Sequence, residues 1–157
     1  MADTLKVTAR GEREVVMTRE FNAPRELVFE AWTKPELLKR WLYGSEAWGL
    51  TVCEMDLKVG GALRFEWHHG DDKPMGMGGV FREIVPPERL VFTELWDEDW
   101  TGGEALSTLT FVEHAGKTTY TQTVLYSSRA ARDAVLKSEM ARGAAQSYDR
   151  LAALLAK

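Results

Sequence analysis

FNAPRELVFEAWTKPELLKRW, residues 21–41, decides how the rest of the chain is read. It holds two short helical segments split at Pro35. Apolar residues fall at i, i+1, i+4 and i+5 in each: Leu27, Val28, Ala31 and Trp32, then Leu37, Leu38, Trp41 and Leu42. Helices this short are marginal in water alone, so both must lie against something larger. Pro24 is placed in a first turn, where its missing N–H does no harm. Thr33-Lys34-Pro35-Glu36 has the spacing of a capping box, and Gly44-Ser45 ends the pair. Two tryptophan-bearing helices could close an ordinary core or one end of a cavity.

Outward from this stretch the pattern changes. Residues 1–11 read as a flexible lead-in, and Glu12–Phe21 as a first strand. After the helices come six runs with strand character, each closed by turn residues: 50–57, 62–67, 76–85, 89–96, 105–113 and 117–126. Gly60-Gly61, His68–Pro74, Pro86-Pro87, Asp97–Gly103 and Ala115-Gly116 punctuate them. Hairpin follows hairpin, so an antiparallel meander is expected. From Ser127 the period becomes helical. Ser127 or Ser128 can cap, and Val135, Leu136, Met140, Ala144, Ser147, Tyr148, Leu151 and Leu155 form one stripe. Gly143 marks a break or a close contact. The order predicts an α+β fold: a curved seven-stranded antiparallel sheet with one long C-terminal helix across it. The two short helices would close one end of the groove between them.

Bulk composition narrows the function. The 157 residues, 45% hydrophobic and 28% charged, are expected to form a single domain over 12–157. A net charge of −4 without long like-charge runs argues against nucleic acid as a partner. The N-terminus has no apolar signal core and no run of 18 apolar residues exists, so a cytoplasmic protein without membrane insertion is expected. One cysteine, Cys53, excludes an internal disulfide and a multi-cysteine metal site. No dinucleotide fingerprint, phosphate loop or zinc-protease motif is present, so no cofactor is expected. His68, His69, Asp71 and Asp72 lie together, but neighbouring residues on a strand point to opposite faces; a solvated turn and no metal is the reading. A monomer or a homodimer is equally consistent with the sequence.

Three stretches carry a resemblance: REFNAPRELVFEAWTKPELLKRW (19–41), EMDLKVGGALRFEW (54–67) and GVFREIVPPERLVFTELW (79–96). Together they resemble the bacterial relatives of the C-terminal domain of the heat-shock-protein-90 ATPase activator, in the START-like (birch-pollen-allergen-like, SRPBCC) superfamily. The resemblance covers about residues 12–156. It implies the helix-grip fold, a seven-stranded antiparallel sheet around a long C-terminal helix, and a link to stress response. Lys58 stands where the family's turn has arginine, and Glu94 where a tryptophan follows Phe-Thr. The activator's separate N-terminal domain has no counterpart in the matched stretch.

Alternation names the inward faces. Leu90, Phe92, Glu94 and Trp96 share one, and Tyr120, Gln122, Val124 and Tyr126 another. Leu63, Phe65 and Trp67 form a third, and Cys53, Met55 and Leu57 a fourth. Apolar walls with a few placed polar groups have the composition of a small-molecule site. The candidate ligand-binding residues are Trp41, Met55, Phe65, Trp67, Phe92, Glu94, Trp96, Tyr120, Gln122 and Met140. Trp41 is placed at the cavity mouth and Trp32 in the core. Glu94 is the sharpest feature, since burial would raise its pKa, and it is the weak candidate for a catalytic residue.

Three functions from different classes follow. One is binding of a small hydrophobic or aromatic molecule in an internal cavity, favoured because no catalytic constellation is visible. One is an enzyme like the polyketide cyclases and aromatases of the superfamily, with Glu94 beside Tyr120 or Gln122. The third, an interaction protein for a chaperone, would require an exposed apolar patch.

Overall fold

The computed structural model describes residues 4–98 and 102–156. The elements run β1 (Lys6–Arg10), β2 (Glu14–Phe21), α1 (Arg25–Thr33), α2 (Pro35–Leu38), β3 (Gly49–Met55), β4 (Ala62–His68), β5 (Met75–Val85), β6 (Arg89–Trp96), β7 (Ala105–His114), β8 (Lys117–Leu125), α3 (Arg129–Lys137) and α4 (Met140–Leu155). All strands pair antiparallel, in the order β1-β2-β8-β7-β6-β5-β4-β3. The α+β class and the six-strand meander after the helices agree with the sequence reading.

The sheet has eight strands where seven are expected. The additional one is β1, inside the segment read as a lead-in. It pairs with β2 from Lys6↔Thr18 to Arg10↔Glu14. It is an exposed edge with no fully buried residue, so it lacks the in–out alternation that reveals a strand.

The C-terminal segment also departs from expectation, since one long helix is broken into α3 and α4 at Ser138. Ser138 is extended (φ −85°, ψ 178°). Its hydroxyl donates to the Val135 carbonyl (2.6 Å) and accepts from the Met140 N–H (3.2 Å), so it ends one helix and starts the other. The stripe changes phase there: Val135 is buried while Leu136 is exposed. At the start of α3 the cap is Ser128, which accepts from the Ala131 N–H (3.0 Å). The Thr33 capping box does not form. The Thr33 hydroxyl instead donates back to the carbonyl of Phe29 (3.1 Å), and α2 starts from Lys34 without a side-chain cap. Pro24 is the N-cap of α1 and not a residue of its first turn.

The helices cover one face of the sheet. Phe21 (β2), Phe29 and Trp32 (α1), Trp41, Phe111 (β7), Tyr120 (β8) and Tyr148 and Leu151 (α4) form one buried cluster. Two buried cations tie the helices to the N-terminal strands. Arg132 of α3 donates to the carbonyls of Gly11 (3.2 Å) and Glu14 (3.1 Å), and Arg19 of β2 reaches Asp149 of α4 at 2.5 Å. The Gly60-Gly61 turn is where glycine is required. Gly60 has φ +86°, and a Cβ on Gly61 would sit 2.0 Å from the Asp56 carbonyl oxygen.

Candidate functional site

Bulges interrupt the register between Leu50 and Val52 and between Phe81 and Glu83, and such bulges bend a sheet. Between the inner face of β4–β8 and the start of α4 lies a cavity of about 480 Å³. That is the size range of small-molecule sites. Its walls are mostly aromatic and thioether: Trp32, Tyr43, Trp48, Phe65, Trp67, Phe92, Trp96, Tyr126 and Tyr148, with Met17, Met75, Met77 and Met140. It opens where the exposed Ser45, Met75 and Glu139 form a rim. The loop after α2 is held to α4 beside the opening by Gly44 N–H to Ser147 Oγ (2.8 Å) and Ser45 Oγ to Gln146 Oε1 (2.9 Å). Gly44 and Gly143 pack backbone to backbone, which agrees with the close-contact reading of Gly143. A Cβ on either would be 3.8 Å from the other's Cα.

Glu94 stands in the wall between Phe92 and Trp96 and faces the cavity. The β5–β6 register runs Met77↔Trp96, Gly78↔Leu95 and Phe81↔Phe92, which sets Gly79 opposite Glu94; on the other side Glu94 pairs with Ala105. Both neighbours are very small, but neither lines the cavity, and the Gly79 backbone lies so close to its partner strand that a Cβ there would sit 1.8 Å from the Thr93 carbonyl oxygen. Burial pushes Glu94 up to about 7, and the Ser107 hydroxyl bonded to it pulls the other way.

A chain of buried hydrogen bonds leads to that carboxyl. The Tyr120 and Tyr148 hydroxyls are 2.6 Å apart, Tyr148 donates to Gln122 Oε1 (2.9 Å), and Gln122 Nε2 donates to Ser107 Oγ (2.9 Å). The Ser107 proton is then free to point at Glu94. Burial raises the pKa of Tyr120 and Tyr148, so both stay protonated donors. The Trp32 indole N–H is buried above this chain without a well-formed hydrogen bond, close to the Tyr120 hydroxyl.

Of the ten sequence candidates, Phe65, Trp67, Phe92, Glu94, Trp96, Gln122 and Met140 are brought together on the cavity wall. Trp41, Met55 and Tyr120 are not. Trp41 is wholly buried and donates to the Ala31 carbonyl (3.2 Å), packed between Trp32 and Tyr148 (5.1 and 5.6 Å between centroids). It therefore sits in the core and not at the mouth. Met55 ends β3, beyond the bulge, and packs on the core cluster. Tyr120 lies one layer beneath the wall and reaches it through Tyr148, Gln122 and the Trp32 ring stacked on it. Trp32, assigned to the core, is buried but contributes to the wall as well.

The sequence reading missed Met17, Met77, Ser107, Tyr126, Tyr148 and Trp48 as site residues. Tyr126 and Tyr148 already stood on inward faces, and Met17 and Met77 follow from extending the same alternation along β2 and β5. Ser107 carried no signal beyond its inward position, and Trp48 lies in a loop without periodicity. The exposed cluster near the β4–β5 turn pairs internally: His69 Nδ1 meets Asp72 Oδ2 at 2.7 Å, and His68 meets Thr51. Among the described residues no three His, Cys, Asp or Glu side chains are grouped to hold a metal ion. Among the same residues no helix is long and apolar enough to cross a membrane. The Cys53 thiol is pushed up to about 11 by burial, which leaves it unreactive.

Comparison with known proteins adds the family. The profile of the family described as "Activator of Hsp90 ATPase homolog 1-like protein" matches residues 22–156. A crystal structure from Rhodobacter sphaeroides is similar at 34% identity over 98% of this chain and 99% of that one, with a TM-score of 0.92. A protein from Chromobacterium violaceum is similar at 27% identity, 92% and 98% coverage and a TM-score of 0.76. The solution structure of an AHSA1-like protein from Aeromonas hydrophila, at 21% identity, 88% and 93% coverage and a TM-score of 0.67, shares the fold. No curated protein matches the sequence. The chain belongs to the Activator of Hsp90 ATPase homolog 1-like family, with the START-like fold.

Proposed function

We propose that this protein binds a small hydrophobic or aromatic molecule in the cavity between the sheet and α4. The observation that carries this reading is the wall itself. Four tryptophans and four methionines surround about 480 Å³ of space, and among the described residues the only carboxyls in the lining are Glu94 in the wall and Glu139 at the rim. Aromatic side chains supply large contact area at little entropic loss, and methionine adapts its shape to different partners. A core filled for stability alone would not leave such a volume open.

An enzymatic reading would place Glu94 directly against a tyrosine hydroxyl as a proton-transferring pair. Here the link from Glu94 to Tyr148 passes through Ser107 and Gln122, which suits a site that orients a ligand. Native mass spectrometry of freshly purified protein tests the proposal, together with tryptophan-fluorescence titration by neutral polycyclic aromatics and fatty acids. A retained mass of a few hundred daltons, or a saturable quench with one-to-one stoichiometry, is expected. No retained mass and no response across the panel would overturn it.

A further inference from the structure

The charge of the cavity is one-sided. Among the described residues its wall includes Glu94 and, at the rim, Glu139, but no lysine, arginine or histidine. Glu139 has Arg142 at 3.8 Å, outside the wall. Among the described residues Glu94 has no basic partner; the Ser107 hydroxyl is hydrogen-bonded to it.

The hydrogen-bond chain has a direction. Gln122 Oε1 accepts from Tyr148, so its Nε2 faces Ser107 as a donor, and Ser107 must then give its own proton onward. Tyr120 in turn is left to donate to Tyr148. Every proton points toward Glu94. Such a chain polarises cooperatively and favours an acceptor at its end, which is what an ionised carboxylate is. The other titratable groups that interact with Glu94 are Tyr126, just after β8, Tyr148 of α4 and Tyr120 of β8. All are held protonated and neutral.

A carboxylate fed by donors on one side lacks a countercharge on the other. That other side is the open cavity, whose wall Glu94 shares with its strand neighbours Phe92 and Trp96. The Trp67 and Trp96 rings stack there at 5.4 Å between centroids. Aromatic faces beside a carboxylate bind organic cations, because the ring quadrupole and the anion attract the same charge. From this geometry we infer that the ligand is an organic cation: an aromatic or apolar body carrying an ammonium group that docks on Glu94 among Trp67, Phe92 and Trp96. The inference rests on the cavity-binding reading and adds the charge of the ligand to it.

The test compares three probes on one two-ring skeleton, followed by calorimetry and tryptophan fluorescence: (1-naphthylmethyl)trimethylammonium, 1-naphthylmethanol and 1-naphthoate. The quaternary ammonium keeps its charge at every pH, so any pH dependence belongs to the protein. At pH 8 the cation is expected to bind at least tenfold tighter than the alcohol, with the anion weakest. Its advantage should shrink as pH falls through about 7, where Glu94 takes up a proton. Glu94→Gln should erase the preference. If that variant does not fold, the pH profile of the native protein answers alone. Equal or tighter binding of the alcohol, or an affinity for the cation that does not fall at low pH, overturns the inference and leaves the cavity reading standing. Failure of all three probes to bind, with the polycyclic aromatics and fatty acids silent as well, overturns both.

Discussion

Trp32 and Trp41 meet edge to face, 5.1 Å between centroids and 83° between planes, whereas Trp67 and Trp96 lie nearly parallel at 5.4 Å and 26°. The first pair is packed into the core, although Trp32 also contributes to the cavity wall. Both rings are buried, and Trp41 spends its N–H on the Ala31 carbonyl of α1. The second pair is half-buried, with Trp67 anchored through its N–H to the Leu42 carbonyl (2.8 Å) and both rings turned to the cavity. The difference lies in what stands opposite. Trp32 of α1 stacks on Tyr120 of β8, and Trp41, after α2, packs on Tyr148 of α4. Trp67 and Trp96 line the same cavity as Ser138, where the helix breaks. One residue type therefore closes one end of the groove and lines the other, according to whether a helix lies over it.

Truncation would separate the two pairs most sharply. Trp41→Ala should cost about 3–5 kcal/mol of stability, because a fully buried indole is lost and its neighbours cannot collapse into the space. Trp96→Ala should cost about 1 kcal/mol, since less of its area is removed from water. The same Trp96→Ala change should weaken naphthyl binding roughly tenfold, as loss of an aromatic anchor does. Urea denaturation and probe titration on both variants check this. Equal stability losses would mean that the cavity end is packed as tightly as the core.

The carboxyl gives the next effect. Burial raises the Glu94 carboxyl from its ordinary 4.5 to about 7. Because the folded state holds its proton longer, this group's contribution is fully present below about pH 4.5 and is lost as pH rises to about 7. The loss is at most about 3 kcal/mol, and smaller to the extent that cavity water reaches the carboxylate. Glu94→Gln removes the titration. Its stability relative to the native protein should therefore rise between pH 4.5 and pH 7.5 in urea melts, and a constant difference would place the carboxyl in a well-solvated setting.

Much of the first pair's setting could be read from the sequence, and less of the second's. The i, i+1, i+4, i+5 spacing gave α1 and α2, and period-two alternation gave the inward faces of β4, β6 and β8. Those faces supply most of the wall. What escaped was set by tertiary contacts. Whether Trp41 points to core or rim depends on the path of the chain after Leu38, which no local signal encodes. The break at Ser138 was hidden because the apolar stripe resumes on its far side. The hydroxyl bonded to Glu94 comes from Ser107, brought beside it only by the β6–β7 register. β1 escaped for the opposite reason, having no buried face to alternate with.

The smallest effect is expected where the two regions join. Tyr148 touches both: its ring packs on Trp41 and Phe21, lines the cavity, and passes a hydrogen bond toward Gln122. Tyr148→Phe keeps the ring and removes only the hydroxyl. The loss should be about 1 kcal/mol, because Gln122 Oε1 retains only the longer contact to Tyr120 (3.4 Å). The core should keep its packing, so the denaturation slope should not change. At the cavity the chain of donors loses its first links. Gln122 and Ser107 then polarise less strongly, the ionised carboxylate is less favoured, and the Glu94 pKa should move further up. Carboxyl-carbon NMR titration of Glu94 in the two proteins reads this directly. A downward move, or none, would separate the tyrosine pair from the carboxyl and make Tyr148 a residue of the closed end alone.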